Sequence, residues 1–170
     1  MKPLVSLQLE TTGLVGAWEH CDQIANYLAQ LASHDRTDSF LYANLLSTIL
    51  NELLEVVFTR HAPRDAVRCT ISRAGASDQI TLRIPVDEES RAFYQRSVAA
   101  AQRDDVADLY AHSLLDREDP AVALGFLELA TDYRARFSLH DSEADTYVDL
   151  QLCVELEDGG TAPALLMRAT

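Results

Sequence analysis

The sequence of 170 residues has no uninterrupted run of about 18 apolar residues, the length that a membrane-spanning helix requires. Its first ten residues, MKPLVSLQLE, alternate apolar with polar side chains and reach a charge at Glu10. A signal peptide needs a longer apolar stretch followed by a small-residue cleavage site. We therefore expect a cytoplasmic protein with no membrane partner.

Basic side chains are also scarce. The chain has 14 Lys and Arg against 27 Asp and Glu, which gives a formal net charge of -13 at pH 7. A charge of this sign repels nucleic-acid phosphates and anionic membrane surfaces. The composition therefore argues against a nucleic-acid partner.

Cysteine and histidine are too few and too scattered to indicate a metal centre. The three cysteines, Cys21, Cys69 and Cys153, are far apart in apolar sequence, which is typical of reduced core thiols. None of the five histidines has a spacing that would place two ligands on one helical face. We expect no structural metal.

What the sequence does contain is the composition of a globular domain, 48% hydrophobic and 24% charged. A chain of this length buries a normal core as one unit, and no repeat or low-complexity linker divides it. We expect a single domain over residues 1–170, with the tail from about residue 159 left unassigned.

Apolar periodicity predicts a succession of strands and helices. Alternation with period two predicts strands at residues 3–10, 66–72, 79–86, 136–140 and 147–157. Spacings of three and four residues predict helices at 22–33, from Thr37 or Asp38 to near His61, at 88–102, at 106–115 and around 124–129. Mixed elements with hairpins predict an α+β fold, a two-layer sandwich in which helices cover one face of a mixed or antiparallel sheet.

The same patterns predict which side chains enter the core. The first helix has its apolar stripe at Ile24, Tyr27, Leu28 and Leu31, and the second begins its stripe at Phe40. The second and third strands form a predicted hairpin around Ala74–Asp78. Its inward residues are expected to be Val67, Cys69, Ile71, Ile80, Leu82 and Ile84.

The long second helix contains two carboxylates, Glu52 and Glu55, within its apolar run. Carboxylates are costly to bury unless they are paired or serve a function. Glu52 is therefore a candidate base or nucleotide contact. The alternative is a carboxylate at the helix edge that is paired with an arginine such as Arg60 or Arg64.

Residues 50–57, LNELLEVV, and residues 123–133, ALGFLELATDY, are two short motifs on predicted helices. Taken with the element order, they resemble the ATPase fold of histidine kinases and anti-sigma-factor serine kinases, the GHKL superfamily. Within it the sequence is similar to small bacterial regulators of the SiaB kind. Residues 50–57, LNELLEVV, are similar to the N box, Leu-x-Glu-Leu-x-x-Asn-Ala. Residues 123–133, ALGFLELATDY, are similar to the Gly-Leu-Gly turn and the helix behind the phosphate lid. The resemblance spans roughly residues 20–157.

In the N box the resemblance gives Glu52 the place of the glutamate that activates the attacking group. It gives Val56 the place of the asparagine that holds the magnesium bridging the ATP phosphates. Residues i and i+4 lie on the same side of a helix, so both can reach one nucleotide. Valine cannot bind magnesium, because a hard cation requires oxygen ligands.

The other family motifs are also incomplete. Ala123 stands at the first glycine of the turn, and its methyl group limits positive φ and close approach to phosphate. The Asp-x-Gly-x-Gly box would fall near Asp87, which could contact an adenine amino group but has no glycine after it. The resemblance thus implies a degenerate nucleotide site at Glu52, Val56, Asp87, Ala123, Leu124 and Gly125.

Three functions remain open on the sequence. The favoured one is a bacterial cytoplasmic signalling regulator, a pseudoenzyme that docks on a STAS-type, phosphatase or response-regulator protein, as the resemblance implies. The second is a divergent serine protein kinase that uses Mg-ATP with Glu52 as catalytic base. The third is a structural homodimer. No cofactor is expected, except ATP and magnesium under the second alternative.

Overall fold

The computed structural model describes residues 2–10, 19–60, 66–115, 122–142 and 146–156. Within these ranges the strands are β1 (Lys2–Leu9), β2 (Val67–Ala74), β3 (Ser77–Pro85), β4 (Arg136–Asp141) and β5 (Tyr147–Glu155). The α-helices are α1 (Glu19–Ser33), α2 (Ser39–Glu55), α3 (Glu88–Ala101), α4 (Val106–Leu115) and α5 (Leu124–Asp132). A π-helical turn, Val56–Arg60, continues α2. The predicted order of elements is confirmed, and the unassigned tail lies outside the described residues.

The five strands form one antiparallel sheet in the order β1-β2-β3-β5-β4. The turn between β2 and β3 is shorter than predicted, because Ala74 pairs with Ser77 and leaves only Gly75 and Ala76 between the strands. Gly75 has a φ of 62°, a left-handed conformation that glycine adopts without steric cost. The tight turn therefore fixes the register of the hairpin.

The two faces of the sheet differ in polarity. In the central hairpin Cys69 pairs with Leu82 and Ile71 with Ile80, and all four side chains are fully buried beneath the helices, as expected. On the opposite face the sheet is polar, with hydrogen-bonded cross-strand pairs such as Gln79 and Gln151 at 2.6 Å. Helices therefore cover one face of an antiparallel sheet, and the predicted two-layer α+β class is confirmed.

Helix α2 is the central helix of the core. Its N-cap is Asp38, whose Oδ1 accepts a hydrogen bond from the Leu41 amide at 3.0 Å. Further along, Leu46, Ile49, Leu50, Leu53 and Leu54 are buried. Residues 39–58 are the one described stretch with the length and apolarity of a membrane span, but half of the stretch is buried inside the fold. That burial is typical of a core helix, so the stretch is weak evidence for membrane insertion.

The buried stripe of α1 differs from the predicted one. It consists of Cys21, Ala25, Leu28, Ala29 and Ala32. Tyr27 and Leu31, which were expected inside, are 56% and 44% exposed. Small alanine side chains allow two helices to approach closely, so the larger apolar residues of α1 lie outside the contact with α2. Phe40 is 78% exposed, because it lies in the first turn of α2, ahead of the buried part of that helix.

A buried ionic cluster joins the β2–β3 hairpin to the helical layer. The fully buried carboxylate of Asp78 accepts hydrogen bonds from Arg73 Nε at 2.7 Å, from Arg73 Nη2 at 3.1 Å and from the Tyr42 hydroxyl. Arg73 Nη2 also donates to the Ala32 carbonyl at 2.7 Å, and Arg36 Nη2 donates to Tyr42 Oη at 2.9 Å. Pairing of this kind is what makes a buried carboxylate tolerable.

We expect Asp78→Ala to lower the free energy of unfolding by about 3–5 kcal/mol, because it leaves the Arg73 guanidinium without its buried partner. The matched control is Glu155→Ala, which breaks an ion pair with Arg136 at the surface. The Arg136 side chain is 69% exposed and the Glu155 side chain is 59% exposed. That loss should be about 1 kcal/mol or less. Urea denaturation measures both, and equally small losses would contradict a structural role for the cluster.

Candidate functional site

The two stretches that carry the family resemblance meet in the fold. Glu52 and Val56 lie one helical turn apart at the end of α2, and Gly125, the second residue of α5, packs against both. A Cβ placed on Gly125 would lie 3.1 Å from Val56 Cγ2 and 3.4 Å from Glu52 Oε2. The shorter distance is below the ordinary carbon contact of about 3.5–4.0 Å. A side chain at position 125 would therefore displace the Val56 methyl group by a few tenths of an ångström, and glycine avoids that displacement.

The start of α5 is attached to α3 by a buried hydrogen bond. The Ala123 amide donates to Ser97 Oγ at 2.9 Å, and both residues are fully buried. Ala123 is the N-cap of α5, with a φ of -71° and no side-chain cap. Leu124 follows as the first helical residue and is half-buried. Where the family resemblance places a glycine, this chain thus has an alanine methyl in its core, with an ordinary backbone conformation.

Glu52 lies among other carboxylates. Burial raises its pKa to about 7, and the charges of Glu128 and Glu55 add to the increase. Burial also raises the pKa of Glu128, although a hydrogen bond from Tyr110 opposes the change and the charges of Asp132 and Glu55 support it. An acidic cluster, which we define as Glu52, Glu55, Glu128 and Asp132, therefore lies at the junction of α2 and α5.

Two tyrosines border the acidic cluster. Burial raises the pKa of Tyr110 on α4 to about 12, and the nearby Glu128 and Asp132 carboxylates raise it further. Burial and the same two carboxylates raise the pKa of Tyr133, which follows α5. Both hydroxyls therefore remain protonated at neutral pH and can donate hydrogen bonds to the carboxylates.

The arginine partners expected for Glu52 are not tested by the structure. The side chains of Arg60 and Arg64 lie outside the described residues. Among the side chains that are described, Glu52 has no ion pair, and the charged groups that shift its pKa are carboxylates. The described residues also contain no group of three His, Cys, Asp or Glu arranged to hold a metal ion.

Asp87 has a local structural role that the sequence reasoning missed. It is the N-cap of α3, and its Oδ1 accepts hydrogen bonds from the Ser90 amide at 2.9 Å and from Ser90 Oγ at 2.6 Å. An aspartate three residues ahead of a serine, before an amphipathic run, is a recognisable capping signal. The adenine contact proposed for Asp87 stays a prediction.

Sequence reasoning also missed Glu128, Asp132 and Tyr110. A signal for the first two was present, because Gly125, Glu128 and Asp132 are spaced by three and four residues and so share one face of α5. The approach of that face to Glu52 depends on how the helices pack, which no local pattern specifies. Tyr110 comes from α4 and joins the cluster only through the tertiary fold.

The close contact between α5 and α2 can be tested with a double-mutant cycle. We expect the change in the free energy of unfolding caused by Gly125→Ala to be more favourable in a Val56→Ala background than in the parent chain. In that background the added methyl group has room. The predicted coupling is about 0.5–3 kcal/mol. The control background is Val154→Ala, another buried valine that lies on β5, where the effects should add. Additive effects in both backgrounds, measured by urea denaturation, would contradict the contact.

Comparisons with known proteins give one finding, and it concerns the fold. No protein-family model matches the sequence, and no curated protein matches it either. Among solved structures, the chain is similar to a chain in the crystal structure of the SiaB–SiaC complex from Pseudomonas aeruginosa. The TM-score is 0.57 at 15% sequence identity, and the match covers 89% of each chain. The chain therefore has a SiaB-like fold.

Proposed function

We propose that this protein is a cytoplasmic signalling regulator with a histidine kinase-like ATPase fold, the GHKL fold, that acts by binding another protein. It does so as a pseudoenzyme, without turning over ATP. The observation that carries this proposal is the contact of Gly125 with Val56 and Glu52. At the position where the family resemblance puts the metal ligand, a valine methyl group packs closely against Gly125.

The residues at this place do not fit a magnesium ion. Val56 is 8% exposed and has no oxygen to offer, whereas magnesium binds carboxylates, carbonyls and phosphates in near-octahedral geometry. Phosphoryl transfer depends on a metal ion and on positioned donors around the phosphates. Among the described residues at this place, Val56 therefore does not supply the metal ligand that would help to neutralise the charge of ATP.

The acidic cluster also opposes binding of a nucleotide. Two of its members, Glu52 and Glu128, face each other across the α2–α5 junction closely enough to raise the pKa of Glu52. Triphosphate oxygens placed beside these groups would add like charges in a partly buried place, where screening by water is weak. The buried methyl group of Ala123 fills a further part of the turn that would have to wrap a phosphate.

A docking role is supported by the exposed apolar surface and by the similar structure. Helix α4, which is described along its whole length, has no buried residue, and its Leu114 and Leu115 are 49% and 87% exposed. Apolar side chains exposed together are typical of surfaces that bind proteins. The similar solved structure is itself a complex of two proteins. The resemblance implies a STAS-type, phosphatase or response-regulator protein as the partner.

One observation favours a second function, a divergent Mg-ATP-dependent serine protein kinase. A general base works best when its pKa lies near the operating pH, and the pKa of Glu52 is raised to about 7. Glu52 also occupies the position of the family's activating glutamate. Under this alternative the metal would need other ligands than Val56, because valine supplies none.

Calorimetric titration with ATP and magnesium separates the two functions. For the regulator we expect no binding tighter than about 1 mM, because the site lacks a metal ligand and repels phosphate. Micromolar, magnesium-dependent affinity that is lost in Glu52→Ala would establish the kinase alternative and contradict the proposal. The matched control is Glu89→Ala, which removes an exposed carboxylate from α3 and should leave any binding unchanged.

A further inference from the structure

Helices α1 and α2 form an open groove of about 460 Å³ that is separate from the acidic cluster. Asn26 and Gln30 line it from α1, and Phe40 and Asn44 line it from α2. Asn44 precedes Glu52 by eight residues, or about 12 Å along the helix. The groove therefore belongs to the N-terminal half of α2, whereas the candidate nucleotide site belongs to its C-terminal end.

The wall of the groove includes a large aromatic side chain that the fold does not cover. Phe40 is 78% exposed. On α1, the helix that forms the opposite wall, Tyr27 and Leu31 do not line the groove but lie next in sequence to its lining residues Asn26 and Gln30, and they are 56% and 44% exposed. Isolated exposed apolar residues are common on proteins, but several on the two helices of one groove are typical of an interaction surface.

Fixed polar groups accompany this apolar surface. Asn26 Oδ1 accepts a hydrogen bond from Ser47 Oγ at 2.7 Å, and Asn26 Nδ2 donates to Asp22 Oδ1 at 3.2 Å. These contacts from both helices hold the Asn26 amide in place on the groove wall. Gln30 and Asn44 are exposed nearby and offer further donors and acceptors. The groove thus combines an apolar anchor point with ordered polar partners, as binding grooves do.

The two helices are almost without basic residues. Between residues 19 and 44, the part of the two helices that flanks the groove, the only Lys or Arg is Arg36, against four acidic residues: Glu19, Asp22, Asp35 and Asp38. The lining itself contains one titratable side chain, His34. The side chain of Arg36 is 9% exposed and contacts Tyr42 and Asp78, so its charge is used within the fold. Asp22 and Asp38 are exposed. The groove therefore has an acidic border that attracts positive charge.

We propose that the α1–α2 groove is the docking site for a basic amphipathic segment of a partner protein. An apolar side chain of that segment packs on Phe40, and its Lys or Arg residues face the acidic border. This inference rests on the proposed function, in which the protein acts by docking. A second copy of the chain is a poorer occupant, because two chains of net charge -13 repel each other and both would present acidic borders.

The test uses a designed peptide of about 18 residues, five helical turns, with leucine on one face and lysine on the other. We expect NMR amide shifts at Gln30, Phe40 and Asn44 on titration with this peptide. The matched peptide, with glutamate in place of lysine and the same leucine face, should produce no shifts. Shifts spread over the whole acidic surface, or centred on α4, would overturn the inference.

Two substitutions in the groove sharpen the test. Phe40→Ser should weaken binding of the leucine-lysine peptide by about tenfold, whereas Gln95→Ser, at an exposed residue of α3 outside the groove, should leave it unchanged. Asn44→Lys should also weaken binding, because it places a cation on the wall and removes no apolar contact. Each variant is compared with the parent chain by thermal unfolding. Equal affinity in Phe40→Ser and Gln95→Ser would overturn the inference.

The oligomeric mass tests the competing occupant. A dimer seen by light scattering and abolished by Phe40→Ser would assign the groove to a second copy and overturn the inference. These experiments distinguish a failure of the groove inference from a failure of the proposed function. Tight Mg-ATP binding would overturn the pseudoenzyme proposal while leaving the peptide shifts in the groove intact. Amide shifts that the peptide causes over the whole acidic surface would overturn only the groove inference.

Discussion

The contact of Gly125 with Val56 and Glu52 is the constraint on which the candidate site depends. The absence of a Cβ lets α5 lie this close to α2 without displacing a side chain, since a methyl group would be 3.1 Å from Val56 Cγ2. The approach brings Glu128 near Glu52 and places hydrocarbon where the family resemblance expects a metal ligand. Gly125 thus sets how closely α5 packs on the end of α2.

The carboxylates of Asp78 and Glu52 are removed from water to different degrees and have different charged neighbours. Asp78 is fully buried and is neutralised by Arg73 and a tyrosine hydroxyl, so it holds the hairpin on the helices. Burial raises the pKa of Glu52 to about 7, and among the described side chains its charged neighbours are carboxylates. Carboxylates with a strongly perturbed pKa are characteristic of functional sites, which is why this junction is the candidate site.

Much of the fold could be predicted from the sequence, because alternation along β2 and β3 and the apolar run of α2 are local signals. The buried stripe of α1 could not, since alanines pack against α2 while the more hydrophobic Tyr27 and Leu31 remain exposed. Glu52 and Gly125 could be singled out as candidates, but Glu128 and Tyr110 depend on tertiary packing. The sequence did not predict the buried position of Asp78 either, because an aspartate after a glycine turn is usually solvated.

Carbon-13 NMR titration of the Glu52 side-chain carboxyl, with and without Mg-ATP, tests the closed α2–α5 junction most directly. The account predicts a pKa near 7, above the ordinary value of 4.5, that does not change when Mg-ATP is added. A pKa near 4.5 would show that Glu52 is solvated or paired with a cation. A marked fall in the pKa on addition of Mg-ATP would show that a metal ion reaches the carboxylate, and either result would contradict the account.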